Sequence, residues 1–146
     1  MTGERLQLEL RVPDGPVPLA DDVVVEVVLA NRGTTPVLVN GRMLMSPPHT
    51  PEPFREVTFE VNGPPGYVNR RLVEVNAGRP RPEQFVELAP GGDLAKAFEL
   101  TSLERMNLPG SYAVRATYAN TVVDPALPRR PWVGRVSTEW GHVERA

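Results

Sequence analysis

The sequence predicts an all-β fold: an antiparallel sandwich of about eight or nine short strands with one short helical turn. Three observations predict it. Several apolar segments alternate with a period of two, as half-buried strands do. Valine-rich runs favour strand over helix, because a branched Cβ suits the pleated chain. Finally, 17 prolines and 12 glycines punctuate the chain, and no helical segment reads as long enough for the crossover that parallel strands require.

Residues 6–12 place Leu6, Leu8, Leu10 and Val12 on one face and Gln7, Glu9 and Arg11 on the other. "DDVVVEVVLANRG" continues with Val23, Val25, Val27 and Leu29 inward and ends at the Asn31–Gly33 turn. In "PVLVNGRMLM", Gly41 marks a bulge or a close backbone approach. Val57, Phe59 and Val61 alternate with Thr58 and Glu60. Further strands are expected near 67–75, 84–88 and 94–100, although Lys96 breaks the pattern of Leu94, Phe98 and Leu100. "TSLERMN" sets Thr101 three residues before Glu104, the spacing of a capping box over a short helical turn. "LPG" then stops it, and "SYAVRATY" puts Tyr112, Val114, Ala116 and Tyr118 on one face. The last strand is "WVGRVSTEW", with Trp132, Val136 and Trp140 expected on a common face, and His142 falls in a frayed tail. If strands simply alternate direction, loops 13–21, 46–54, 76–83 and 101–109 share one end, and 32–35, 62–66, 89–93 and 120–131 share the other.

Residues 1–146 read as one domain, a length that buries roughly 70 % of the unfolded surface on folding. The net charge of −2 gives no basic footprint for nucleic acid or for an anionic membrane. With no cysteine, disulfides, thiol nucleophiles and thiolate metal sites are excluded together. The first ten residues lack the apolar run of a signal peptide, and "VVVEVVLA" is too short to span a bilayer, so a cytoplasmic location is expected. Lys96 is the sole lysine among 16 basic residues, a bias read as coding composition before Arg-rich recognition.

Motifs for chemistry are scarce. His49 and His142 have no partner at metal-ligand spacing, and Asp14, Asp21 and Asp22 lack the oxygen-ligand density of a calcium loop. No Gly-rich loop joins a strand to a helix, and no serine has a nucleophile-elbow context. The expectation is a non-enzymatic chain without metal or cofactor. "SPPHTPEP" and "GRPRPE" read as stiff loops before they read as polyproline II ligands.

A tyrosine directly after the "LPG" turn, pointing inward, fits a tyrosine corner. In "LPGSYAVRATY" and in "VVVEVVLANRGTTPVLV" the chain resembles immunoglobulin-like and fibronectin type III-like bacterial domains, and the resemblance implies an immunoglobulin-like sandwich. "NRGTT" (31–35), "PGG" (90–92) and "RPWVG" (130–134), with the "GSYAVRATY" strand, are similar to three loop motifs of the chagasin family of cysteine-protease inhibitors. By that resemblance Thr34 and Thr35 occupy the central loop, Gly91 and Gly92 approach a papain-like enzyme through backbone, and Arg130, Pro131 and Trp132 pack on the cleft rim. The first loop reads Asn-Arg-Gly-Thr-Thr-Pro where that family has Asn-Pro-Thr-Thr-Gly, and "ANTVVDPALPR" is an insertion. The simpler alternative makes Trp132 the start of a core strand and 31–35 a polar turn. The expected function is a protein-binding module acting through loops at one end of the sandwich. A chagasin-like inhibitor and an assembly domain pairing by an edge strand are the alternatives.

Overall fold

A computed structural model describes residues 4–47, 49–69 and 78–146. Among the described residues nine strands follow in order: β1 (Leu6–Arg11), β2 (Val24–Asn31), β3 (Val37–Asn40), β4 (Val57–Asn62), β5 (Phe85–Leu88), β6 (Asp93–Glu99), β7 (Gly110–Asn120), β8 (Gly134–Ser137) and β9 (Gly141–Arg145). Every strand pairing is antiparallel. The fold is an all-β sandwich. Among the described residues no helix is long and apolar enough to cross a membrane.

One sheet runs β1-β2-β6, and in the other β7 lies between β4 and the successive strands β8 and β9. The alternating side chains read from the sequence meet between them. Val23, Val25, Val27 and Leu29 from the first sheet join Phe59, Tyr112, Val114, Ala116 and Tyr118 from the second in one buried cluster. The β3–β5 pair closes one side of the sandwich. There a Cβ on Gly41 would stand 3.0 Å from the Val86 side chain and 3.1 Å from the Gln84 carbonyl. Gly41 is therefore a close backbone approach.

Four details differ from the sequence reading. The Thr101 segment forms only a 3-10 turn, Leu100–Ser102. Thr101 Oγ1 accepts the Val23 N–H and bonds Asp22 instead of capping a helix, and two more 3-10 turns occur at Glu52–Phe54 and Pro82–Gln84. Second, "WVGRVSTEW" is not one strand. Thr117 faces Ser137 while Val114 faces Gly141, so three steps along β7 match four along its partner, a one-residue bulge. Thr138 fills it, its N–H bonding the Ala116 carbonyl and its Oγ1 accepting the Ala116 N–H. The extra residue turns Trp140 to the outer face, against Arg115, while Trp132 and Val136 stay on the core side. Third, His142 is no frayed residue, since β9 pairs it with Ala113.

The fourth concerns the loops. Met45 bridges Val57 in parallel, so the connection between them returns along the sheet and the alternation of ends is broken. Segment 62–67 consequently lies at the start of β7, with Gly110 facing Pro64 and Tyr67 packed on Tyr112. Glu52, in contrast, lies beside Arg135 near the far end of β7. Of the strand expected at 67–75, residues 70–75 lie outside the described residues and 67–69 form no strand; of the loop at 76–83, residues 78–83 are described and end in the Pro82–Gln84 turn.

Candidate functional site: the loop end built on Asn31

Asn31 ends β2 and is fully buried. Its side-chain amide donates to the Thr35 carbonyl and to the Leu88 carbonyl, each at 2.9 Å. Its Oδ1 accepts the Gly33 N–H at 2.9 Å, an Asx turn that stops the strand. The backbone of Asn31 bonds Gly91 and Gly92. One side chain thus fixes the shape of loop 32–36 and ties it to the β5–β6 turn.

That turn is set by its own sequence. Gly92 N–H bonds the Ala89 carbonyl at 2.8 Å, Pro90 takes the second position and Gly91 the third with φ +80. This is type II turn chemistry. The result is a small rigid platform on which Thr34, Thr35 and Gly91 are exposed while Gly92 is half-buried.

The third segment arrives differently. Asn120, at the end of β7, is buried and donates to the Val122 and Trp132 carbonyls, gathering the base of the 121–133 loop. Leu127 and Val122 pack on Leu38 and Phe85, a second small apolar cluster over the β3–β5 pair. The Trp132 N–H bonds the Leu38 carbonyl at 2.8 Å, and its ring lies 5.7 Å from that of Tyr118. Pro131 is buried, Trp132 half-buried, and Arg130 exposed. Arg129 pairs with Glu87, next to the Leu88 held by Asn31.

The structure therefore links the Thr34–Thr35 loop to Gly91 and Gly92 through Asn31, whose side chain holds the Thr35 carbonyl and whose backbone bonds both glycines. Arg130 is exposed in the 121–133 loop, next to Arg129 on Glu87, with Pro131 and Trp132 anchored in the fold. Sequence reasoning took Asn31 only as the start of a turn and passed over Asn40 and Asn120. All three are buried at a strand end, and the Oδ1 of each accepts the N–H two residues on. An asparagine closing an apolar alternation was the available signal.

Two polar clusters lie elsewhere. Glu56, 3 % exposed, binds Arg42 through Nε and Nη2 and also accepts the Leu44 N–H. Beside it Lys96 donates to the Arg42 and Met43 carbonyls, its pKa lowered by burial and by Arg42 against the pull of Glu56. Near the start of β7 the Tyr67 hydroxyl donates to Glu104 at 2.6 Å and accepts the Met106 N–H. Burial raises the Glu104 pKa, with the Tyr67 and Asn69 bonds opposing it, and burial first, then Glu104, raises that of Tyr67. Among the described residues no group of three or more His, Cys, Asp and Glu is placed to hold a metal ion.

Compared with known protein families and with curated proteins, the chain matches none.

Proposed function

We propose that the protein is a non-enzymatic binding module of immunoglobulin-like type, whose partner is another protein engaged by the loop end at 32–36, 89–92 and 129–132. The observation that carries this reading is the Asn31 junction, where one fully buried residue holds two exposed turns in fixed relation through its side-chain and backbone hydrogen bonds. Loops presented by a rigid sandwich end are the usual recognition elements of such folds. Preorganisation of this kind reduces the ordering entropy that binding must overcome. A cytoplasmic setting is proposed with it, since a chain without cysteine needs no oxidising compartment to fold.

The partner class implied by the chagasin resemblance is a papain-like cysteine protease. The linkage of the Thr34–Thr35 loop to the Gly91–Gly92 turn through Asn31 favours it, because two of the three motif loops then act as one wedge. Titration into active-site-calibrated papain tests this, with a Thr34→Asp/Thr35→Asp variant alongside. Stoichiometric inhibition lost in the variant is the expected result. If papain is not inhibited, photo-crosslinking from position 35 in cells tests the wider reading, and crosslinks formed only from the outer sheet face would move the binding surface off this end.

A further inference from the structure

The outer face of the β4-β7-β8 sheet carries a second arrangement, independent of the loop end. Its register aligns Thr58 with Thr117 and Thr117 with Ser137, a row of three hydroxyl side chains across three strands. The Thr117 and Ser137 hydroxyls are 2.7 Å apart. In the next row Arg115 bonds both Glu60 oxygens through Nη2 alone, at 2.8 and 2.9 Å, which leaves Nη1 for a ligand. Above Arg115 lies Trp140, with the guanidinium 4.6 Å from the ring centroid. Trp140 is 37 % exposed, with Arg115 set against one face of its indole. On the other side of the hydroxyl row Arg135 pairs with Glu52. On that side of the row, away from Trp140, this pair lines a shallow cleft of ≈ 150 Å³ together with Arg55, Thr58, Thr117 and Ala119.

We propose that this face binds a neutral oligosaccharide. An exposed indole offers the flat apolar surface on which the C–H face of a pyranose ring stacks. The hydroxyl row and the two Arg–carboxylate pairs supply donors and acceptors in fixed planes, as a polyol requires. Both ion pairs are internally neutral and Arg55 adds a single further cation at the cleft, short of the cationic stripe that a nucleic acid or a sulfated chain needs. A protein partner fits less well, since interface cores are depleted of charged side chains, and here a single indole stands among them. The cleft is smaller than the roughly 300 Å³ lower bound of drug-sized pockets. It therefore takes one ring of an extended chain that runs along β7 from Trp140 past the hydroxyl row.

Cellohexaose, xylohexaose and maltohexaose are titrated separately while tryptophan emission is followed in a Trp132→Phe background, so that Trp140 is the reporter. At least one of the three is expected to shift the emission saturably. The same affinity, measured by calorimetry, should weaken about tenfold or more in Trp140→Ala and also fall in Thr117→Val and Ser137→Ala, while Thr34→Ala/Thr35→Ala leaves it unchanged. These hydroxyl variants keep the test open if Trp140→Ala fails to fold. No response to any of the three, binding that survives Trp140→Ala, or binding only of heparin oligosaccharides at low salt overturns the proposal.

Discussion

The Tyr112 hydroxyl donates to the Leu108 carbonyl at 2.7 Å and accepts the Leu108 N–H at 3.0 Å. A single side chain thereby closes both backbone groups of the residue that begins the turn into β7. Tyr112 is fully buried, so its ring fills the core while its hydroxyl fixes the corner. Removing the hydroxyl leaves two backbone groups short of a partner, and Tyr112→Phe is expected to cost about 1–3 kcal/mol. Urea denaturation of the two proteins measures it, and equal midpoints would remove the corner as a source of stability.

Tyr112 was legible in the sequence because its signal is local: a turn, then a strict alternation. The same holds for β1, β2 and β4, whose inward faces follow from a period of two. What was not legible depends on distant partners. Trp140 faces outward only because Thr138 adds one residue against β7, and a bulge is a property of two strands together. The parallel run of Met45 beside Val57 likewise has no local signature, and it decides which end each neighbouring loop occupies.

Asn31 carries the proposed loop platform. Asn31→Ala removes two donors and one acceptor from a fully buried position. Each buried group left unpaired costs about 1–3 kcal/mol, so a loss of at least ~2 kcal/mol is expected. Hydrogen exchange should rise at Gly33 and across 89–92 while the β7 amides keep their relative protection. A uniform loss of protection would show that Asn31 supports the whole sandwich equally and not these loops. For the platform itself the sequence showed the exposed tips, Thr34, Thr35 and Gly91. It did not show the buried residue that sets them, because burial of an asparagine is decided by what packs over it.

The Arg42–Glu56 pair sits where the chain passes from β3 to the edge of β4. Both side chains are at most 10 % exposed, and Glu56 also receives the Leu44 N–H. Truncating one partner of a buried pair is strongly unfavourable, because the other charge stays desolvated. Glu56→Ala is expected to lose about 3–5 kcal/mol, and Glu56→Gln less, since the amide oxygen still accepts from Leu44. A calorimetric melt showing the two variants equally stable would mean that the carboxylate charge contributes nothing beyond its shape.

Glu104 gives the fold a dependence on pH whose sign follows from its surroundings. Burial penalises its ionised form and raises its pKa, although the Tyr67 hydroxyl and Asn69 partly offset this. Tyr67, its own pKa pushed up by burial and by Glu104, keeps its proton and donates throughout the neutral range. A raised folded-state pKa means that the native protein holds the Glu104 proton more tightly than the unfolded chain does. The stability this provides is complete below roughly pH 4 and is lost as pH rises through the folded value. Glu104→Gln cannot ionise, yet it still offers Tyr67 an oxygen. The variant should therefore gain on the wild type between pH 4 and pH 7, whatever their difference at pH 4, and because the other groups titrate in both proteins the change in that difference isolates Glu104. Denaturant unfolding at the two pH values measures it. A difference that stays constant, or that moves toward the wild type as pH rises, would mean that the hydrogen bonds outweigh burial at this carboxyl.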